Sequence, residues 1–238
     1  LTNLPNRLLL QARLNKSIEE ATELKQRLAL FFIDIDNFKL INDTYGHSIG
    51  DRIINLVAKR LQKNIRKNDT ISRIGGDEFI IVMENLNDKN HIKKIAQNIL
   101  DDFREPVKME QYLFDITISI GISIFPENGL NDEDLIKHAD TAMYRAKNLG
   151  KNQFQFYKAK MTSEIFEKII MKQELNDAIK NEEFEVYYQP QIDIKQNRII
   201  GAEALIRWNH KNFGIVYPND FIPYAEETKL IIPIGKFV

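Results

Sequence analysis

The sequence predicts an α/β protein in which helices flank a central sheet, and three observations predict it. Segments of helical and of strand periodicity alternate from the N-terminus to about residue 158. Leu28-Ala29-Leu30-Phe31-Phe32-Ile33 is a nearly unbroken apolar run of strand length, as expected of a central strand covered on both faces. Two β-branched and aromatic runs bracket Gly75-Gly76-Asp77-Glu78, as expected of a hairpin with glycines at its bend.

Taken in order, Asn6 to Arg27 places Leu8, Leu9, Ala12, Leu14, Ile18, Ala21 and Leu24 mostly at helical spacing among charges, with Pro5 read as part of the first turn. The apolar strand follows, with Asp34 at its exit. Asn37 to Tyr45 and Asp51 to Ile65 read as two helices joined by a turn at Gly46-His47-Ser48-Ile49-Gly50. Thr70 to Ile74 and Phe79 to Met83 form the hairpin. A helix over Asn90 to Arg104, a strand over Phe114 to Ile124, a helix over Asp132 to Asn148 and a short strand over Gln153 to Tyr157 complete the alternating region. The pattern then changes to one helix, Glu164 to Lys180, and strands at Phe184 to Pro190, Ile192 to Ile194 and Ile199 to Trp208. The expected organisation is a domain over 1–158, a connecting helix over 159–181 and a second segment over 182–238.

Composition narrows the function. With 43% hydrophobic and 28% charged residues in 238, the chain is neither disordered nor membrane-like in composition. Its net charge of −1 recruits neither nucleic acid nor an anionic membrane, so phosphate binding has to be local. No cysteine is present, leaving carboxylates and histidines as candidate metal ligands. Leu28 to Ile35 is too short to cross a bilayer and the N-terminus lacks a signal pattern, so a cytoplasmic location without a membrane segment is expected. His47, His91, His138 and His210 form no HExxH pair and no GxxxxGK[ST] loop occurs, which disfavours zinc-protease and P-loop chemistry.

Asp34 and Asp36 lie two apart at a strand end, while Asp77 and Glu78 sit on the hairpin bend. If strand and hairpin are neighbours the carboxylates converge, and hard oxygen ligands on an open turn suit Mg2+ or Mn2+ with substrate phosphates. Taken as separate pairs, they read more readily as solvated acids at strand ends than as ligands. Lys39, Arg73, Lys147 and Lys151 fall near the same ends and would supply cations.

Several linked motifs resemble one family. Arg73-Ile74-Gly75-Gly76-Asp77-Glu78-Phe79 resembles the signature of the GGDEF diguanylate cyclases, and Leu1-Thr2-Asn3-Leu4-Pro5-Asn6-Arg7 their opening. Asp34-Ile35-Asp36-Asn37-Phe38-Lys39 with Asn42-Asp43 and Tyr45-Gly46-His47 resembles the metal and base loop, and Tyr144-Arg145-Ala146-Lys147 with Gly150-Lys151-Asn152 the closing motif. The resemblance covers 1–158 and implies a largely antiparallel sheet in a nucleotidyl-cyclase-like domain. It assigns the metals to Asp34, the carbonyl of Ile35, Asp77 and Glu78. It places Asn42 and Asp51 at the guanine edge, Lys39, Lys147 and Lys151 at the phosphates, and Phe38, Arg73, Gly75 and Gly76 around the GTP. Lys151 stands where the family commonly has arginine, so charge is kept and the bidentate fork is lost.

The implied reaction is attack of one GTP 3′-hydroxyl on the α-phosphate of another, twice, yielding cyclic di-GMP and two pyrophosphates. Asp77, or secondarily Glu78, would accept the proton. Each domain resembles a half-site, so a homodimer is implied. Arg66 and Asp69, spaced as RxxD, resemble a product-inhibition site for cyclic di-GMP. Tyr188-Gln189-Pro190 and Gly201-Ala202-Glu203-Ala204-Leu205-Ile206-Arg207-Trp208 resemble the start of an EAL phosphodiesterase barrel, with Glu203 as a metal ligand and Gln189 and Arg207 as substrate contacts. The EAL portion here is incomplete, so hydrolysis by this fragment is not expected. Two alternatives stand beside an active cyclase: a GTP-binding regulator of a phosphodiesterase, and a non-catalytic cyclic di-GMP receptor.

Overall fold

A computed structural model describes residues 1–66, 68–86, 88–109 and 111–237; Lys67, within the RxxD motif, and Val238 lie outside the described residues. The chain divides into two compact units, Leu1–Thr162 and Ser163–Val238.

The first unit is built on five strands: β1 (Arg27–Ile35), β2 (Thr70–Gly75), β3 (Glu78–Leu86), β6 (Ile118–Phe125) and β7 (Phe154–Phe156), in the order β2-β3-β1-β6-β7. All pairings are antiparallel except β6 with β7. β1 is central, and strand alternation sends Ala29, Phe31, Ile33 and Ile35 into one core and Leu28, Leu30 and Phe32 into another. The first core is closed by α3 (His47–Lys63) and α4 (Lys89–Asp101), through Ile53, Val57, Leu61, Ile92 and Ile99. The second is closed by α1 (Arg7–Glu23) and α5 (Asp132–Asn148), through Leu10, Leu14, Leu135, Ala139 and Met143.

Several local expectations change. Pro5 precedes α1 rather than opening it: Asn6 is the N-cap, accepting from the Leu9 N–H at 3.0 Å. Leu10, Leu14, Ile18 and Ala21 face the core, while Leu8, Leu9 and Leu24 are exposed. The turn between α2 (Phe38–Tyr45) and α3 is made by Gly46 alone, at φ 84°, and His47 to Gly50 already belong to α3. One residue in a left-handed conformation suffices to reverse the chain there. The strand expected over Phe114 to Ile124 divides: β4 (Val107–Met109) and β5 (Tyr112–Phe114) form a separate hairpin, and β6 starts at Ile118.

α5 has the expected bounds. Asn131 caps it by accepting from the Asp134 N–H at 2.8 Å, and acids at its start and Arg145 and Lys147 at its end complement the helix dipole. It lies very close to the sheet: a Cβ on Gly121 of β6 would stand 1.9 Å from the Ala139 carbonyl oxygen and 2.2 Å from the Met143 nitrogen. That close approach sets where the far end of α5 meets the ends of β1 and β3.

α6 (Ala159–Lys180) enters the second unit, where β8 (Phe184–Asp193), β9 (Arg198–His210) and β10 (Gly214–Val216) form an antiparallel sheet, followed by α7 (Pro218–Glu227) and α8 (Ile231–Ile234). Phe184, Ile206, Trp208, Leu175, Ala178 and Phe221 form its core. The sheet does not close into a barrel, and Tyr188, Ile194, Ile199 and Ile200 are exposed. Among the described residues no helix is long and apolar enough to cross a membrane.

Candidate active site

The expected convergence of strand and hairpin comes from register. Asp34 is directly opposite Glu78 in the β1–β3 ladder, so both side chains rise on the face covered by α1 and α5. Gly75 pairs with Glu78, leaving Gly76, at φ 39°, and Asp77 as the bend. Arg73 braces that bend by donating from Nε and Nη2 to the Gly76 carbonyl at 2.9 and 2.7 Å.

Lys147 approaches from α5, its Nζ 2.7 Å from Asp34 Oδ1. The contact is an ion pair between a partly exposed lysine and a buried carboxylate. Burial, with Asp77 and Glu78 adding repulsion, raises the Asp34 pKa to about 6 against the opposing effect of Lys147. Glu78 is raised chiefly by burial and then by Asp140 and Asp77, with Lys147 and Arg7 opposing.

Asp36 does not join this group. Its carboxylate accepts from Thr117 Oγ1 at 2.8 Å, Ser119 Oγ at 2.7 Å and the Asn152 N–H at 3.1 Å, tying the loop after β1 to the β6 region and to the loop after α5. Lys151 lies at that junction, donating to Asn37 Oδ1 at 2.6 Å.

The expected guanine-edge residues are adjacent. Asn42 Oδ1 is buried without a hydrogen-bond partner, and a Cβ on Gly50 would stand 1.9 Å from it and 3.2 Å from Phe38 Cζ. Gly50 is thus a close-approach glycine inside α3 that leaves Asn42 its space, next to exposed Asp51. Lys39 is exposed in the first turn of α2.

Asp140 and Arg7 were missed. Together with Gln11, Ile74, Glu78 and Asp132 they line a cleft of about 500 Å³. Asp140 has a pKa raised by desolvation against Lys147, an effect tempered by its solvent exposure. Its signal was helical spacing, since seven residues before Lys147 is the same face two turns earlier.

Carboxylates are the ligand type that suits a hard divalent cation, and Asp34 and Glu78 face each other with Asp77 on the bend, but among the described residues no three of them stand close enough together to hold a metal. Arg66 and Asp69 form a separate turn: the Arg66 N–H donates to Asp69 Oδ2 at 2.7 Å and the Asp69 N–H to the Arg66 carbonyl at 3.1 Å. In the second unit Gln189 pairs with Glu203 across β8 and β9, and strand parity puts Arg207 on the same face. The Arg207 guanidinium lies over the Tyr187 and Tyr217 rings at 5.7 and 5.1 Å.

The family profile described as diguanylate cyclase, GGDEF domain, matches residues 1–153, and that of the EAL domain matches 172–238. The bifunctional diguanylate cyclase/cyclic di-GMP phosphodiesterase MucR of Pseudomonas aeruginosa is 37% identical over the whole chain, which covers 35% of MucR. The cyclic di-GMP phosphodiesterase PdeR of Escherichia coli is 34% identical, again over the whole chain and 35% of that protein. The chain therefore spans about a third of the length of these curated relatives. Among solved structures, the GGDEF domain of YfiN (TpbB) from P. aeruginosa matches with a TM-score of 0.65 and 34% identity, over 66% of this chain and 99% of that one. The active GGEEF domain of a diguanylate cyclase from Vibrio cholerae matches with a TM-score of 0.61 and 36% identity, over 66% and 99%. The chain belongs to the GGDEF family of diguanylate cyclase domains, here followed by the start of an EAL domain.

Proposed function

We propose that residues 1–158 are a diguanylate cyclase domain that condenses two GTP into cyclic di-GMP and two pyrophosphates, joined by a connecting helix, 159–181, to the opening portion of an EAL domain, 182–238. The observation that carries this reading is the opposition of Asp34 and Glu78 across β1 and β3, with Asp77 on the adjoining bend and Lys147 beside them.

Asp34, the Ile35 carbonyl, Asp77 and Glu78 hold Mg2+ or Mn2+, which when bound neutralises phosphate charge and eases ionisation of the 3′-hydroxyl. Asp77 accepts the hydroxyl proton, with Glu78 the second choice. Gly75 and Gly76 carry no side chain to obstruct the nucleotide at the bend. Phe38, Arg73 and the hairpin backbone surround the GTP, and Lys39, Lys147 and Lys151 supply charge at its phosphates. Asn42 and Asp51 pair with the guanine edge, and the unpartnered Asn42 oxygen is matched by a base donor. One domain holds one GTP, so two copies face each other for the 3′-oxygen to reach phosphorus. Arg66 and Asp69 bind product away from this centre.

The test is pyrophosphate release from GTP with Mg2+. Product should rise faster than linearly with protein concentration and be abolished in Asp77→Ala. A chain that binds GTP without turnover at any concentration would overturn the cyclase reading. That outcome favours the second reading, a GTP-binding regulator of a phosphodiesterase, which the name of PdeR supports.

A further inference from the structure

Outside the active-site cleft, one exposed contact joins the RxxD turn to a helix of the sheet layer. Arg66 Nη2 lies 3.1 Å from Nε2 of His91, which stands in the first turn of α4. A guanidinium has donors only, so His91 Nε2 must be the acceptor and the imidazole carries its proton on Nδ1. Asp69 meanwhile holds the backbone of Arg66 through Oδ2. The backbone of the turn and the end of the arginine are thus tied down by different residues, from different parts of the chain.

We propose that His91 is a positioning residue of the cyclic di-GMP inhibitory site, holding the Arg66 guanidinium in a defined orientation from which its remaining N–H donors meet a guanine edge or phosphate of the product. This rests on the product-site reading of Arg66 and Asp69. An exposed arginine otherwise samples many rotamers, and ordering a side chain of this kind on binding is costly. His91 removes part of that cost before the ligand arrives. The imidazole leaves four of the five guanidinium N–H groups for the ligand, which allows the bidentate contact that suits a planar acceptor pair.

The consequence is a regulatory effect without a catalytic one. His91→Ala should weaken cyclic di-GMP binding by roughly three- to tenfold, the loss expected when one long side chain is no longer preordered. GTP turnover measured before product accumulates should be unchanged, because His91 lies outside the proposed cyclase machinery. His91→Gln, which restores a side-chain acceptor, should recover part of the affinity.

The experiment is calorimetric titration of the whole chain with cyclic di-GMP for wild type, His91→Ala, His91→Gln, Arg66→Ala and the Arg66→Ala/His91→Ala double variant, paired with initial rates of pyrophosphate release. The proposal expects His91→Ala to weaken binding in the wild-type background and to add nothing once Arg66 is gone. It is overturned if His91→Ala binds as wild type does while Arg66→Ala is impaired, or if His91→Ala costs the same in both backgrounds. If Arg66→Ala itself leaves binding intact, the RxxD reading falls first and the role of His91 falls with it.

Discussion

Lys147, in the last turn of α5, sets its Nζ 2.7 Å from Asp34 Oδ1 at the end of β1. The contact joins a cation to the carboxylate whose pKa burial raises, and it orients the lysine toward the hairpin bend. Lys147→Ala should lower GTP turnover on the order of a hundredfold, the scale of losing one charge-stabilising group at a reacting phosphate. Lys147→Arg should retain more activity than the alanine variant. Both should melt within a few degrees of the parent, because the lysine side chain is partly exposed.

Gly50 tests the proposed base site separately from the chemistry. An alanine Cβ there would meet Asn42 Oδ1 at 1.9 Å, and the amide at the end of a flexible side chain has to move aside. The fold should tolerate Gly50→Ala, since a helix-interior alanine is favoured over glycine by about 1 kcal/mol. The KM for GTP should rise roughly tenfold, the worth of one hydrogen bond to the base, and preference for GTP over ATP should shrink. An unchanged KM would remove Asn42 from the guanine edge.

Gly121 tests the packing that delivers α5. Here the obstruction is backbone, the Ala139 carbonyl and the Met143 nitrogen, and neither can swing away. Gly121→Ala should destabilise the first unit by about 3 kcal/mol in urea denaturation, at the upper end of overpacking costs. Where the variant still folds, turnover should fall with it, because displacing α5 moves Lys147 and Asp140.

Trp208, the single tryptophan, reports on the second unit. Its indole N–H donates to Glu183 at 3.0 Å, and that bond is the main cause of the lowered Glu183 pKa. A depressed folded-state pKa stabilises above the unfolded value near 4.5 and is lost as pH falls through the lower folded value. Tryptophan emission should therefore titrate with a midpoint below 4.5, and Glu183→Gln should abolish that transition. A transition unchanged in the glutamine variant would assign the signal to another group.

Much of this was legible locally. The apolar run of β1, the bounds of α5 and the Gly-Gly hairpin follow from periodicity and turn chemistry, which act over a few residues. The α2–α3 turn was misread because Gly46 and Gly50 look alike in sequence. One needs its left-handed φ and the other needs its missing Cβ. Leu10 was passed over for Leu8 and Leu9 because three consecutive leucines leave the helix phase open until a sheet face selects it.

By itself the sequence determined the alternating α/β plan, the family motifs, and the carboxylates and lysines from which the proposed nucleotide site is built. Only the tertiary structure decided which of them meet. Asp34 faces Glu78 through strand register, Lys147 reaches Asp34 because α5 lies against Gly121, and Asp36 is drawn away by hydrogen bonds from Thr117, Ser119 and Asn152. The physical reason is range: periodicity and capping are properties of neighbouring residues, whereas a carboxylate's partners, burial and pKa are set by chain segments distant in sequence that packing brings together.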